Sequence, residues 1–286
     1  MTNKIIPFMF KGRTLIIATK HEKEKVIAPI LEKELGVKCV VAKNLDTDIL
    51  GTFTGEIERE DNPITTARNK CLMAMELNDG DLSIASEGSF GPHPSIFFAY
   101  SDDEFLLLLD KKNNLEIFVR ILSTETNFNA SEIKSKQELK EFSYKVKFPS
   151  HALIIKKSKD DFSEITKGIN SWEVISEKYE EFISNYGSAY IETDMRAMFN
   201  PTRMQVIEKA TQKLAEKIKS VCPDCKTPGL GITTVKEGLP CNLCYHPTRS
   251  IISHLYECEK CEYVKEVKFP NQKETEDPMY CDYCNP

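Results

Sequence analysis

The apolar positions in the first part of the chain change between strand and helix periodicity. Leu15–Ala18 and Val37–Val41 are short apolar runs, which are typical of buried strands. Between them, apolar residues recur at helical spacing from Val26 to Leu35, and Gly36 is suited to end that helix. This pattern predicts a strand, a helix and a second strand, the opening unit of an α/β domain.

The same pattern continues after a polar loop over residues 45–63. Residues 64–77, ITTARNKCLMAMEL, have one apolar face and predict a helix that Thr65 or Thr66 could cap. Leu82–Ala85 predicts a buried strand that stops at Ser86, and glycines and prolines follow. The segments EFLLLLD and LEIFVRILSTETNF predict two strands joined by a turn at KKNN.

The later part of the first domain is predicted to contain one more strand and two helices. The segment VKFPSHALIIKKS predicts the strand, and residues 165–186, ITKGINSWEVISEKYEEFISNY, predict a helix. A second helix begins after Asn200, a suitable N-cap, with Pro201 at its first position. We therefore predict a mixed-sheet α/β domain over residues 1–220.

Residues 221–286 contain eight of the ten cysteines, all in Cys-x-x-Cys pairs. The pairs are Cys222 and Cys225, Cys241 and Cys244, Cys258 and Cys261, and Cys281 and Cys284. Two such pairs present four thiolates, which suits a tetrahedral zinc ion, and the gaps of 15, 13 and 19 residues each fit a short hairpin. We predict a double zinc ribbon with two structural zinc ions. Redox-active or disulfide-linked pairs and iron–sulfur ligation are the alternatives.

Two Cys-x-x-Cys pairs form each metal site, and the pairs that share a site can be sequential or crossed. We favour sequential pairing, with one site in the first four cysteines and one in the last four. The reason is that the segment YECEKCEYVKEVKFP…MYCDYC resembles a complete ribbon by itself. In the crossed alternative, the first pair joins the third and the second joins the fourth. His246 and His254 are spare donors, for which surface or hydrogen-bonding roles are expected.

Composition and charge narrow the range of partners. The chain has 286 residues and a net charge of −6, and its apolar runs are shorter than a membrane span. We expect a cytoplasmic protein that does not associate with membranes. From Cys222 onward there are seven Lys or Arg and ten Asp or Glu, which makes nucleic acid an unlikely ligand. A structural or protein-docking role is expected for the ribbon.

Three groups of polar residues are candidates for a binding site. Thr19, Lys20 and Lys23 lie between a strand and a helix, where backbone N–H groups favour an anion, although a solvated lysine-rich helix start is the alternative. Arg68, Asn69 and Lys70 lie in the first turn of the next helix, where one or two of them could face a cleft and a solvated face is the alternative.

The third group lies at a helix entry. Arg196 and Arg203 could clamp a phosphate or carboxylate, or Arg203 could form a structural bridge to Glu192 or Asp194.

Glu87, in the segment SEGSFGPHP, is the candidate catalytic or metal-binding residue. It is predicted to lie just beyond the carboxyl end of a strand, where open α/β sheets bind ligands. Gly88 and Gly91 would allow close backbone approach, and His93 between two prolines is expected to be structural. No second acidic residue adjoins Glu87 in the sequence. Glu56, Glu58, Glu60 and Asp61 precede the second helix and match no motif.

The order of IIATKHEKEKV, TTARNKCLMAMEL and LSIASEGSFG over residues 13–95 resembles the inosine/xanthosine triphosphate pyrophosphatase superfamily. The combination with a C-terminal double ribbon also resembles an uncharacterised bacterial family of unknown function. The first resemblance implies phosphate contacts for Thr19, Lys20 and Lys23, a metal or base role for Glu87, and Mg²⁺ as a second cofactor. It implies a nucleotide or another small phosphate compound as substrate.

Two functional hypotheses remain. The first is a magnesium-dependent hydrolase of non-standard nucleoside triphosphates or similar compounds. The second is a non-catalytic module that binds a small anion and docks a protein partner through its ribbon.

Overall fold

A computed structural model describes residues 9–45 and 61–286 of the chain. The chain divides into two compact units, one comprising Phe10–Ala215 and the other containing Glu216–Pro286. Each unit is described by itself below. The acidic residues Glu56, Glu58 and Glu60 lie outside the described residues.

The first unit contains a five-stranded mixed sheet. Its elements are β1 (Thr14–Ala18), α1 (Glu24–Leu35), β2 (Lys38–Val41), α2 (Pro63–Leu77), β3 (Leu82–Pro92), β4 (Tyr100–Asp110) and β5 (Leu115–Ser123). The strand order is β2-β1-β3-β4-β5, with β1 parallel to β2 and β3, and with antiparallel pairs from β3 to β5. The βαβ opening and the mixed sheet predicted from the sequence are therefore confirmed.

The ends of these helices and strands were predicted correctly from the sequence in some places and wrongly in others. Gly36 ends α1 in the left-handed conformation, as predicted. The cap of α2 is Asn62, whose side chain accepts hydrogen bonds from the N–H groups of Ile64 and Thr65, so the threonine cap was wrong. The predicted end of β3 at Ser86 was also wrong, because full pairing with β4 continues to Pro92.

Helix α2 covers one face of this sheet. Its small apolar side Ala67, Cys71 and Ala74 is fully buried against strand residues that include Ala85 and Leu107. Small residues allow the helix axis to approach the strands closely. This packing places the middle of α2 against β3 and β4.

A four-stranded antiparallel sheet forms the other part of the first unit. Its strands are β6 (Ala130–Ile133), β7 (Leu153–Ser158), β8 (Asp161–Ile169) and β9 (Ala189–Thr193), in the order β6-β9-β7-β8. Helices α3 (Lys136–Lys145) and α4 (Trp172–Tyr186) pack on it through a core that includes Phe142, Ile155 and Phe182. The helix predicted from residue 165 begins only at Trp172, because residues 165–169 pair with β7.

Helix α5 (Pro201–Lys219) closes the first unit. The Asn200 side chain accepts a hydrogen bond from the Arg203 N–H at 3.0 Å, so the predicted N-cap and the proline at the first position are confirmed. Val206, Ala210 and Leu214 are fully buried along one side of the helix. The start of α5 is therefore held rigidly, together with the side chain of Arg203.

The second unit contains a three-stranded antiparallel sheet. Its strands are β10 (Gly231–Glu237), β11 (Ile251–Glu257) and β12 (Val264–Lys268), in that order. The four Cys-x-x-Cys turns flank these strands. No helix among the described residues is long and apolar enough to cross a membrane.

Candidate functional site

A cluster of charged side chains is buried where β3 and β4 pair. Gly88 lies opposite Glu104, and Phe90 lies opposite Asp102. Directly opposed residues of an antiparallel pair project to the same side, so Asp102 and Glu104 share a face with Gly88 and Phe90. Both acidic residues are at most 1% exposed.

Arg203 neutralises Glu104 inside the protein. Its Nε donates to Glu104 Oε1 at 2.5 Å, its Nη1 donates to the Met195 carbonyl at 2.6 Å, and its guanidinium lies 5.1 Å from the ring centre of Phe90. Neither side chain of the ion pair has any exposed surface. A charge-assisted ion pair in this environment is held strongly, because neither partner is accessible to a water molecule that could replace the other.

Gly88 provides the space for this ion pair. A Cβ atom at position 88 would overlap both the Glu104 carboxylate and the Arg203 guanidinium. The close approach that we predicted for Gly88 is therefore made by side chains of the same chain.

Asp102 is the most unusual member of the cluster. Both of its carboxylate oxygens are buried and have no hydrogen-bond partner, and the same holds for Glu104 Oε2. Burial, reinforced by the neighbouring Glu104 carboxylate, raises the pKa of Asp102 to about 8. A buried carboxylate without a hydrogen bond costs about 1–3 kcal/mol or more, so this group favours a proton or a cation as a partner.

Lys23 enters the cluster from the start of α1. Its Nζ donates to Ser86 Oγ at 2.8 Å and lies 3.3 Å from the Ser86 carbonyl. Burial, together with the charge of Arg203, lowers the pKa of Lys23 to about 7. Lys23 can therefore exchange a proton near neutral pH, and a bound anion would favour its charged form.

Glu87 is buried in the middle of β3 and forms a salt bridge with Lys70 of α2. The prediction placed Glu87 beyond a strand end, but the continuous β3–β4 pairing puts it within the strand. Arg68, Asn69 and Lys70 are consecutive on the helix and point in different directions. Of these three, Lys70 is the residue that reaches Glu87.

The structure places the other predicted residues in different surroundings. Thr19 is buried, and its hydroxyl accepts the His21 N–H, which shapes the turn before α1, whereas Lys20 is exposed on that turn. Arg68 makes two hydrogen bonds of 2.6 Å to Glu116 of β5. The side chain of Asn69 donates to Asp61 at 3.1 Å.

The two predicted arginines near residue 200 have different partners. Arg196 pairs with Asp194 at 2.6 Å and lies 4.6 Å from the ring centre of Phe199. Arg203 pairs with Glu104, while Glu192 pairs with Lys156 at 3.1 Å and Asp194 pairs with Arg196. Lys23 and Arg203 thus form the cluster together with Asp102 and Glu104, whereas Glu87 and Lys70 meet on the opposite face of β3.

Asp102 and Glu104 were missed at the sequence level. The signal was present in the segment YSDDEFLLLLD, where two acids at i and i+2 share one face of a predicted strand. What could not be read was the register that sets this strand opposite Gly88 and Phe90. The acidic pair therefore comes from the strand next to β3, and it lies on the face opposite to Glu87.

The carboxylates of β4 are the groups of this cluster that could hold a small divalent cation. Mg²⁺ is commonly held by one or two carboxylates, with water and substrate phosphate completing the shell. Asp102 and Glu104 supply buried oxygens that lack protein partners. Within the described residues, groups of three or more ligand atoms within 4.8 Å of one another occur only in the cysteine region, so water or phosphate would complete a site here.

Two cysteine quartets in the second unit could each hold a metal ion. They are Cys222, Cys225, Cys258 and Cys261, and Cys241, Cys244, Cys281 and Cys284. Sulfur–sulfur separations across the quartets are 3.5–3.9 Å. Four thiolates about 2.3 Å from a tetrahedral zinc ion lie about 3.8 Å apart, so the geometry is compatible with structural zinc. All ten cysteines are described, and none forms a disulfide.

The pairing is crossed, so the sequential pairing that we favoured was wrong. Residue Gly231 at the start of β10 lies beside Glu257 at the end of β11. This register brings the turn before β10 next to the turn between β11 and β12. At the opposite end, Cys241 bridges to Glu276, which brings the second and fourth turns together. The strands thus separate consecutive Cys-x-x-Cys turns by the length of the sheet.

Comparison with known proteins identifies a family. A sequence model described as a domain of unknown function, DUF6671, matches residues 70–286. This match covers most of the chain, so the chain belongs to that family. The matched region contains Glu87, Asp102, Glu104, Arg203 and all eight ribbon cysteines. It excludes the first of the three segments that resemble pyrophosphatases and begins within the second. A search of the curated proteins found no match.

Proposed function

We propose that this member of the DUF6671 family is a metal-dependent hydrolase of a small phosphate compound, with nucleoside triphosphates as the first class to test. The observation that carries the proposal is the pair of buried carboxylates on β4. Asp102 and Glu104 leave three oxygens without hydrogen bonds beside two basic side chains, Arg203 and Lys23. A metal-bound phosphate would satisfy both sets of groups.

The basic residues would hold the phosphate. Lys23 and Lys70 approach from two different helices, and Arg203 approaches from a third. Each is already paired with an oxygen of the protein, so a phosphate oxygen would add to or replace those contacts. Burial strengthens such pairs because water does not compete for the charges.

The acidic residues would have separate roles. Asp102 and Glu104 would hold Mg²⁺ or Mn²⁺, which would neutralise phosphate charge and lower the pKa of a bound water. Glu87, which is on the opposite face of β3 and interacts electrostatically with Lys23, would orient that water or accept its proton. Phosphate binding would draw Lys70 toward the anion, which would release Glu87 from its ion pair.

The test is product release from a panel of standard and deaminated nucleoside triphosphates with Mg²⁺ or Mn²⁺. Pyrophosphate and inorganic phosphate are assayed separately. We expect turnover on at least one compound, and a decrease of about 10²–10⁴-fold in Glu87→Gln. Asp103→Asn is the matched control, because Asp103 is the adjacent residue on β4 and pairs instead with Arg120. Absence of turnover throughout the panel would remove the hydrolase proposal.

The pairing within the cluster favours a second candidate, a non-catalytic site for a small anion. Glu87 and Glu104 are each neutralised by a basic partner, so neither is poised as a base. Binding without turnover in the same panel, measured calorimetrically and weakened in Lys23→Met, would support this candidate over the enzyme.

We also propose that each cysteine quartet holds a structural zinc ion. The thiolate separations support zinc. The wide sequence spacing of the pairs argues against an iron–sulfur cluster, whose cysteines are usually closer in sequence. Metal analysis of the purified chain should find two zinc ions per molecule. Fewer than one would overturn the assignment.

A further inference from the structure

The two ends of the ribbon differ sharply in surface chemistry. Around the second quartet, five large apolar or aromatic side chains are 60–74% exposed: Leu243, Tyr245, Met279, Tyr280 and Tyr283. The first-quartet turns, residues 222–228 and 258–263, are fully described and contribute no large apolar side chain of comparable exposure, and next to them only Val264, at the start of β12, is 57% exposed. An exposed apolar cluster of this size on a small unit marks an interaction surface more often than chance.

Equivalent positions in two turns make this contrast specific. In each turn, the residue after the second cysteine has a left-handed backbone, with φ of 62° at Lys226 and 61° at Tyr245. The residue before that cysteine is Asp224 in the first turn and Leu243 in the second. The metal-binding turn therefore accepts polar residues at both positions, and the apolar pair at the second quartet is not required by the turn itself.

Two rings from different turns of the second quartet contact each other. The rings of His246 and Tyr283, from the two turns of the second quartet, stack with centroids 4.4 Å apart and planes 12° apart. Tyr245 keeps a bulky side chain in the left-handed region, which is uncommon for such a residue. We call the five exposed residues and His246 the aromatic surface.

Charge indicates what this surface would bind. Residues 238–250 and 269–286 contain two Lys or Arg and four Asp or Glu, and a zinc ion with four thiolates would add two further negative charges. Arg249 is held by Asp282 at 2.9 Å. Such a surface repels the phosphates of a nucleic acid, whereas aromatic rings and carboxylates together attract Lys and Arg side chains.

We propose that the aromatic surface docks a basic, partly apolar segment of another protein. Apolar side chains of that segment would pack on Leu243 and Tyr245, and its Lys or Arg side chains would lie over the tyrosine rings and near Asp277 and Asp282. This inference does not depend on hydrolysis by the first unit. It gives the ribbon a recognition role at one end and a structural role at the other.

The test uses the full, zinc-loaded chain and two labelled 12-residue peptides with the same leucine spacing. One peptide carries Lys between the leucines and the other carries Glu. Fluorescence anisotropy at about 0.15 M salt should show binding of the Lys peptide, with the Glu peptide at least about tenfold weaker. Amide chemical shifts should change at the second and fourth turns and stay constant at the first and third.

Variants that copy the first turn provide a matched comparison. Leu243→Asp with Tyr245→Lys leaves the net charge unchanged and should weaken the Lys peptide about tenfold or more while both zinc ions remain bound. The control, Asp224→Ala with Lys226→Ala, should leave the affinity unchanged. Equal binding of both peptides, or no effect of the first variant, would overturn the proposal. Binding of a 12-nucleotide oligo(U) that the same variant abolishes, or a dimer that it dissociates, would also overturn it.

Discussion

Replacement of Arg203 by methionine tests whether the buried charges hold the first unit together. Methionine matches most of the apolar stem but removes the guanidinium that bonds Glu104 and the Met195 carbonyl. It also leaves the Glu104 carboxylate beside Asp102 in a region without water contact. The fold is otherwise expected to remain, because the apolar residues of α5 are unchanged.

The expected loss is large because the whole ion pair is buried. Removal of one partner of a buried pair costs about 3–5 kcal/mol. For a unit of about 200 residues, each kcal/mol lowers Tm by about 2–4 °C, so we expect a decrease of about 6–20 °C. An exposed pair such as Lys136 and Glu180 would contribute far less, because water and salt screen its charges.

Thermal unfolding at pH 5 and pH 8 measures this loss and its cause. A buried carboxylate that has lost its partner takes up a proton more readily, so the deficit should be smaller at pH 5 than at pH 8. Addition of Glu104→Leu should recover at least half of the lost stability, since it removes the uncompensated charge. A loss below about 1 kcal/mol, or equal losses at both pH values without recovery in the double variant, would refute this reasoning.

Three further predictions concern other parts of the structure. Cys222→Ser combined with Cys258→Ser should leave one zinc ion per chain by metal analysis, because both cysteines belong to one quartet. Sequential pairing would instead leave none. Gly88→Ala should destabilise the protein by about 1–3 kcal/mol in urea unfolding, because its Cβ overlaps Glu104 and Arg203; no loss would contradict the packing. Burial is the main cause that lowers the pKa of His151 below 6.5 in the folded protein. The contribution of neutral His151 to the free energy of unfolding should therefore be full above pH 6.5 and decrease as pH falls through the folded pKa. His151→Gln should flatten this pH dependence of unfolding, and an unchanged slope would contradict it.

Local sequence signals predicted much of the fold because they act over a few residues. The periodicity of α1, the stop at Gly36 and the cap at Asn200 all depend on neighbours within one or two turns. Long-range pairing overrode such signals in two places. The glycines and prolines after Ser86 suggested a turn, but β4 pairs along this whole segment. Residues 165–169 were assigned to the helix that follows them in sequence, but they pair with β7.

The site was only partly predictable for the same reason. Glu87, Lys23 and Arg203 were singled out because each lies near a predicted element boundary. Asp102 and Glu104 came into view only through the register of β3 with β4, which no local pattern specifies. The crossed cysteine pairing likewise follows from the antiparallel strand register, whereas the spacing of the cysteines permits either arrangement.

Binding of Mn²⁺ to the zinc-loaded chain tests the proposed cation site most directly. Water-proton relaxation can compare wild type with Asp102→Asn and with the control Asp103→Asn, whose carboxylate pairs with Arg120. We predict one Mn²⁺ site in wild type, unchanged affinity in Asp103→Asn, and affinity at least about tenfold weaker in Asp102→Asn. Absence of Mn²⁺ binding, or equal affinity in Asp102→Asn and wild type, would contradict the assignment of the β4 carboxylates to a metal site.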